Sequence, residues 1–250
     1  MRANPALTGL QAYQLGLAAI AEGAAGAHLN GCGAVIPPAL GFVDSMRVGA
    51  DDTYETTPPF WAAAAAAARN LGARALLSHD GVQPDPDQPV VRGLTLDEGR
   101  AFLAMGALSG GAFGYGDDLT ALDAPRAALL REPWFTQLRD GLTEPATPLD
   151  AATAVATRFA LNPLLDGAAG RFRSTFAYPP SVWLASLANG ATEAVLFNWR
   201  DDAAMLTVPA GALGARVTER VAGDTATPSS TGAWSVTVPP HGVRVLQTSP

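Results

Sequence analysis

Three stretches of this sequence bring together side chains able to do chemistry. Arg47 stands four residues before the pair Asp51-Asp52, Asp85 and Asp87 flank a proline, and Asp117-Asp118 follow a glycine-rich run. Neighbouring carboxylates suit general acid–base work, because one charge beside another raises a carboxyl's pKa toward the range where it can donate a proton. A guanidinium nearby offers a planar fork of donors for carboxylates or hydroxyls. Each residue also has an ordinary reading. Asp51-Asp52 is a solvated turn pair, Arg47 a surface arginine, and Cys32 a small buried hydrophobe. Asp85 and Asp87 fix a loop, and Asp117 and Asp118 cap one.

Composition removes several classes of function. His28, His79 and His241 are scattered, and no spacing among them resembles a zinc site. Cys32 is the only cysteine, which rules out an internal disulfide. No cofactor motif is present. All sixteen basic residues are arginine, and the formal net charge is −7. Counterion release on nucleic acid needs clustered cations, so no nucleic-acid partner is expected. The longest apolar run, Ala62 to Ala68, is far too short to cross a bilayer. No basic amphipathic stretch points to a membrane surface. Met1 to Pro5 is not followed by the apolar core of a signal peptide. The expected location is cytoplasmic, but with part of the start expected to be missing the absent leader says little about it.

The elements that must position these residues fall into two textures. Residues 1–133 read as helices alternating with short apolar segments. Thr8 with Gln11 and Thr95 with Glu98 are capping boxes, each opening a helix. Thr57 before Pro58-Pro59 opens another through the alanine tract, and Asp123 with Pro125 a fourth. Short strands are expected at Ala27 to Gly33, Ala75 to Leu77 and Ala112 to Tyr115, about four in all before residue 133. Strands alternating with helices imply a parallel sheet. Residues 134–169 form a proline-punctuated connecting region. Residues 170–250 carry short strands at 182–187, 194–199, 205–208, 216–221, 234–238 and 243–247, separated by Gly, Pro and Asp. That spacing indicates an antiparallel β-sandwich, with the boundary near Asp166 to Gly170.

Several ordered segments carry a family resemblance. They are Gly9 to Leu17, Leu29-Asn30-Gly31-Cys32-Gly33, Gly41 to Asp51, Asp85-Pro86-Asp87 and Ser109 to Leu119. Leu196-Phe197-Asn198-Trp199 and Pro239 to Val243 complete the set. Together they resemble the barrel and C-terminal domain of glycoside hydrolase family 36 and its relatives, the clan D α-galactosidases or melibiases. The resemblance implies the last strands of a (β/α)8 barrel followed by a β-sandwich. It implies retaining hydrolysis of α-galactosides by two aspartates, one a nucleophile and the other an acid/base. It places the acid/base at Asp51, with Ala50 where proline is more usual. Arg47, Cys32 and Gly33 become sugar-binding residues at the C-terminal ends of strands, the face where barrel sites form. Trp183, Trp199 and Trp234 read as sandwich core.

The family's nucleophile lies in a Lys-x-Asp-type motif on an earlier strand, and this chain contains no lysine. A whole barrel needs eight strands and roughly 250 residues of its own. The chain is therefore expected to be a fragment, inactive alone, with part of its start missing. The expected partners are an α-linked galactoside, and a second copy or an N-terminal half supplied in trans to cover the open parallel sheet. The sandwich is expected to fold without the rest. A rival reading is a non-catalytic carbohydrate-binding or scaffold protein derived from a glycosidase.

Overall fold

The computed structural model describes residues 6–49, 51, 61–75, 77, 81–111, 113–150, 154–158, 175–177 and 179–248. Asp52, Thr57-Pro58-Pro59, Leu76, His79, Ala112 and the boundary at Asp166 to Gly170 lie outside them.

The first half begins with α1 (Gly9–Gly23), β1 (Asn30–Gly31), α2 (Ile36–Ala39), β2 (Ser45–Arg47), α3 (Trp61–Ala73) and β3 (Gln83–Asp85). The three strands pair in parallel, in the order β1-β2-β3. Helices follow: α4 (Leu96–Ala107), α5 (Ala124–Leu129) and α6 (Pro133–Gly141). Both capping boxes form. Thr8 accepts from the Gln11 amide and Thr95 from the Glu98 amide, while each Gln11 or Glu98 side chain returns to the cap backbone. Asp123 caps α5 through the Arg126 amide.

At two expected strand positions the described residues are not in strands. Ala75 and Leu77 lie in a turn closed by the Leu77 amide on the Arg74 carbonyl. Phe113 to Tyr115 is irregular, held where the Gly116 amide reaches the Pro89 carbonyl. The third strand is Gln83–Asp85 instead. Three short parallel strands do not by themselves make a half barrel evident among the described residues.

The second half carries β4 (Thr147–Pro148), β5 (Ala154–Arg158), β6 (Thr175–Ala177), β7 (Val182–Ser186), β8 (Thr192–Phe197) and β9 (Ala204–Val208). It ends with β10 (Val217–Glu219), β11 (Thr227–Pro228), β12 (Trp234–Val238) and β13 (Val243–Thr248). An antiparallel five-stranded sheet, β10-β13-β8-β7-β4, faces a three-stranded one, β11-β12-β9; β5 and β6 pair with each other. The expected C-terminal β-sandwich is therefore present. The stretch 134–169 is more than a connector, since it supplies the edge strand β4 and most of α6.

The five-stranded sheet is buried on both faces, which explains the unbroken apolar run Ala194 to Phe197. Ala194 and Leu196 pack between the sheets with Val182, Val208, Val236 and Val238. Val195 and Phe197 point the other way, as strand alternation requires, into a core shared with the helices. That core joins Ala64, Ala68 and Leu71 of α3, Phe102 and Met105 of α4, and Phe135 and Leu138 of α6 to Trp183, Trp199 and Val245. Trp183 and Trp199 are buried at 1% and 3% exposure, so neither offers a sugar-stacking platform. His241, in the β12–β13 turn, adds a polar tie. Its Nδ1 lies 2.9 Å from Glu98 Oε1 at the start of α4, its Nε2 2.8 Å from Asp201, and its ring stacks on Trp61.

Candidate active site

Parallel strands present their C-terminal ends together, and here three polar side chains meet at that edge. Asn30 opens β1, Arg47 ends β2 and Asp85 ends β3, with Arg47 and Asp85 in register. Asp85 Oδ2 accepts from Asn30 Nδ2 at 2.6 Å and from Arg47 Nε at 3.2 Å. Its Oδ1 accepts from the Asp87 amide at 2.8 Å. Asp87 takes a left-handed backbone, φ 87°, which turns its carboxylate back onto Arg47 Nη2 at 2.7 Å. One carboxylate thus ties three strands to a loop.

Arg47 reaches a third acid. Its Nη1 lies 2.9 Å from Asp51 Oδ1. The four-residue spacing read from sequence therefore does bring Arg47 and Asp51 together. Arg47 is largely buried, with its side chain 13% exposed, whereas the Asp51 side chain is 53% exposed. Burial opposes the charge on Arg47, but the fields of Asp87 and Asp85 outweigh it and hold the guanidinium pKa above its ordinary value, with a smaller contribution from Cys32. Arg47 is thus a permanent cation anchored from one side, with Asp51 at the solvent edge. A carboxylate placed this way can exchange a proton with a bound molecule, and the unused guanidinium N–H groups can donate to its hydroxyls.

Cys32 and Gly33 occupy the turn directly after β1, where the Cys32 amide bonds the Asn30 carbonyl. Both are exposed, and Gly33 has φ 70°. Cys32 is therefore not the buried hydrophobe of its ordinary reading. With Asn30, they line a groove of about 310 Å³ whose other wall is Tyr13, Leu17 and Ile20 of α1. A cavity of about 530 Å³ lies at the opposite, N-terminal end of the strands, bounded by Ala27 to Leu29 and Gly41 to Asp44. We place the candidate site at the C-terminal edge, where the charged groups converge. Asp117 and Asp118 are not part of it. Asp117 caps the loop through the Val91 and Arg92 amides, and Asp118 bonds Thr120.

Sequence reading assigned Asp85 and Asp87 to loop fixing and missed that they grip Arg47. No local signal could have found this, because it is the left-handed backbone of Asp87, beyond the end of β3, that turns its carboxylate onto Arg47. Asp85→Ala should strip acceptors from Asn30, Arg47 and the Asp87 amide at once. The expected cost is about 2–4 kcal/mol, read as a lower urea midpoint. An unchanged midpoint would mean that water replaces the carboxylate without loss.

Residues 178–248 match the family described as the α-galactosidase C-terminal β-sandwich domain. No curated protein matches the sequence. The fold is similar to a Bacteroides fragilis structure assigned as an α-galactosidase, with TM-score 0.65 and 13% identity over 99% of this chain and 53% of that one. It is similar to α-galactosidase I from Mortierella vinacea, with TM-score 0.65 and 15% identity over 95% of this chain and 62% of that one. An isomalto-dextranase from Arthrobacter globiformis, complexed with panose, gives TM-score 0.61 and 16% identity over 96% of this chain and 41% of that one. The chain thus spans between half and two thirds of the two α-galactosidase structures.

Proposed function

We propose that this chain is the C-terminal part of an α-galactosidase-like glycoside hydrolase of the melibiase kind. The observation that carries the reading is the Arg47–Asp51 pair at the C-terminal edge of parallel strands, in a chain whose residues 178–248 match the α-galactosidase C-terminal β-sandwich. In this reading β1, β2 and β3 are late strands of a (β/α)8 barrel. Asp51 is the acid/base of a retaining mechanism, protonating the leaving oxygen and then activating water. Arg47 orients Asp51 and binds sugar hydroxyls, and Cys32 and Gly33 line the sugar pocket.

The second carboxylate comes from barrel strands outside this chain. Two features support that assignment. β1 has an unpaired edge among the described residues. The helix α1 buries none of its side chains, leaving Leu10, Leu15 and Ile20 more than half exposed. Preceding strands and helices would cover both. The substrate class is an α-linked galactoside.

The test assays an aryl α-galactoside with the chain alone and with the chain extended by the polypeptide encoded directly upstream of it. The expected result is no turnover by the chain alone and turnover by the extended protein. Turnover by the chain alone would overturn the external nucleophile. Inactivity of both proteins toward the galactoside would overturn the α-galactosidase reading.

A further inference from the structure

A second acid lies far from the candidate site and takes no part in it. Glu193, on β8, is 0% exposed. Strand alternation puts it on the face shared by Val195 and Phe197, toward the helical layer. Its register partners are Ala185 on β7 and Gln247 on β13. Gln247 Nε2 donates to Oε1 at 3.0 Å, and Oε2 has no hydrogen-bond partner among the described residues. The charged group whose field reaches it is Arg220, just beyond β10, and that guanidinium is engaged elsewhere. Arg220 Nη2 donates to Gln137 Oε1 at 3.0 Å, joining the sheet to α6.

We propose that Glu193 is a proton switch in the seam between the sandwich and α6, holding the seam closed when neutral and loosening it when charged. A buried carboxylate with one bare oxygen is costly, whereas the protonated acid loses its charge and gains a donor. Once ionised, Glu193 must draw in water or pull Arg220 toward itself. Either course competes with the Arg220–Gln137 bond, a side-chain contact that ties α6 to the sandwich alongside the Ala188 amide on the Gly141 carbonyl. Burial pushes the Glu193 carboxyl up from 4.5 to about 7, and Arg220 only partly opposes the shift.

The folded protein therefore binds this proton more tightly than the unfolded chain does. Protonation stabilises the fold most at pH below 4.5, the unfolded value. That contribution declines as pH rises through about 7 and is absent above it. The resulting change in the folding equilibrium constant is on the order of a hundredfold.

The test measures urea unfolding from pH 5 to pH 8.5 for the wild type and Glu193→Gln, together with amide exchange in α6. In the wild type the folding constant should fall about a hundredfold over this range, and exchange at Leu138 and Arg139 should rise beyond the intrinsic base-catalysed increase. In Glu193→Gln both effects should be much reduced. Should that variant fail to fold, carboxyl NMR of the wild type gives the answer directly. A Glu193 resonance titrating in the ordinary carboxylate range overturns the proposal, and so does equal pH dependence in the two proteins.

Discussion

Trp183→Ala should unfold the sandwich and the helical layer together, lowering stability by about 3–5 kcal/mol. Trp183 sits on β7 with 1% of its surface exposed, and its indole N–H donates to the Pro180 carbonyl. The Trp199 indole donates to the same oxygen. Across the seam, a side chain grafted onto Gly72 of α3 would stand 3.3 Å from Trp183 Cη2, so helix and ring are in direct contact. Truncation therefore opens a cavity lined by both halves. A loss of this size is about a fifth or more of the stability of an ordinary domain.

The measurement is hydrogen exchange in α4 and in β8 under mild urea. Both should lose protection in parallel. Val236→Ala, whose side chain lies only between the two sheets, should weaken the sandwich with less effect on α4. Loss of protection in β8 while α4 stays slow in Trp183→Ala would show two independent cores. The expectation that the sandwich folds alone conflicts with this packing. Cut free, it would expose Trp183, Val195, Phe197, Val243 and Val245 as one apolar face.

What could be read from the sequence was mostly local. The two capping boxes and the Asp123 cap each need only residues three apart, and all three form. Trp234–Val238 alternates cleanly because β12 belongs to the outer, half-solvated sheet. The failures were equally physical. Ala75 to Leu77 and Ala112 to Tyr115 are short apolar runs, a pattern that fits a buried strand or a packed turn equally well. Gln83-Pro84-Asp85 has no strand propensity. It is a strand because its neighbours supply partners: the Gln83 amide bonds the Asp44 carbonyl, and the Val48 amide bonds the Asp85 carbonyl.

The site divides along the same line. Arg47 and Asp51 are four residues apart, and their pairing was visible. The bonds from Asp85 to Arg47 and Asn30 span 38 and 55 residues, a distance at which periodicity carries no information. Glu219 makes the point again in the sandwich. Its carboxylate is buried and collects the amides of Val221, Ala222, Asp224 and Val245, although the sequence shows only a glutamate beside an arginine.

In the extended protein that the proposed function calls for, Asp51→Asn should lower kcat for unactivated α-galactosides by about 10²–10⁴-fold, or about 3–5 kcal/mol of transition-state stabilisation. The amide keeps the shape of the side chain and can still meet Arg47, so folding and KM should change little. It can neither give a proton to the leaving oxygen nor take one from water. The leaving group separates this role from simple positioning. An aryl group that departs readily needs little protonation, so its release should survive in the variant as a burst followed by slow turnover. Arg47→Lys should behave differently. A lysine cannot span Asp51, Asp85 and Asp87 with a planar fork, so KM should rise and the urea midpoint should fall together. If Asp51→Asn retains more than half of wild-type kcat on an alkyl galactoside, the acid/base belongs to another residue.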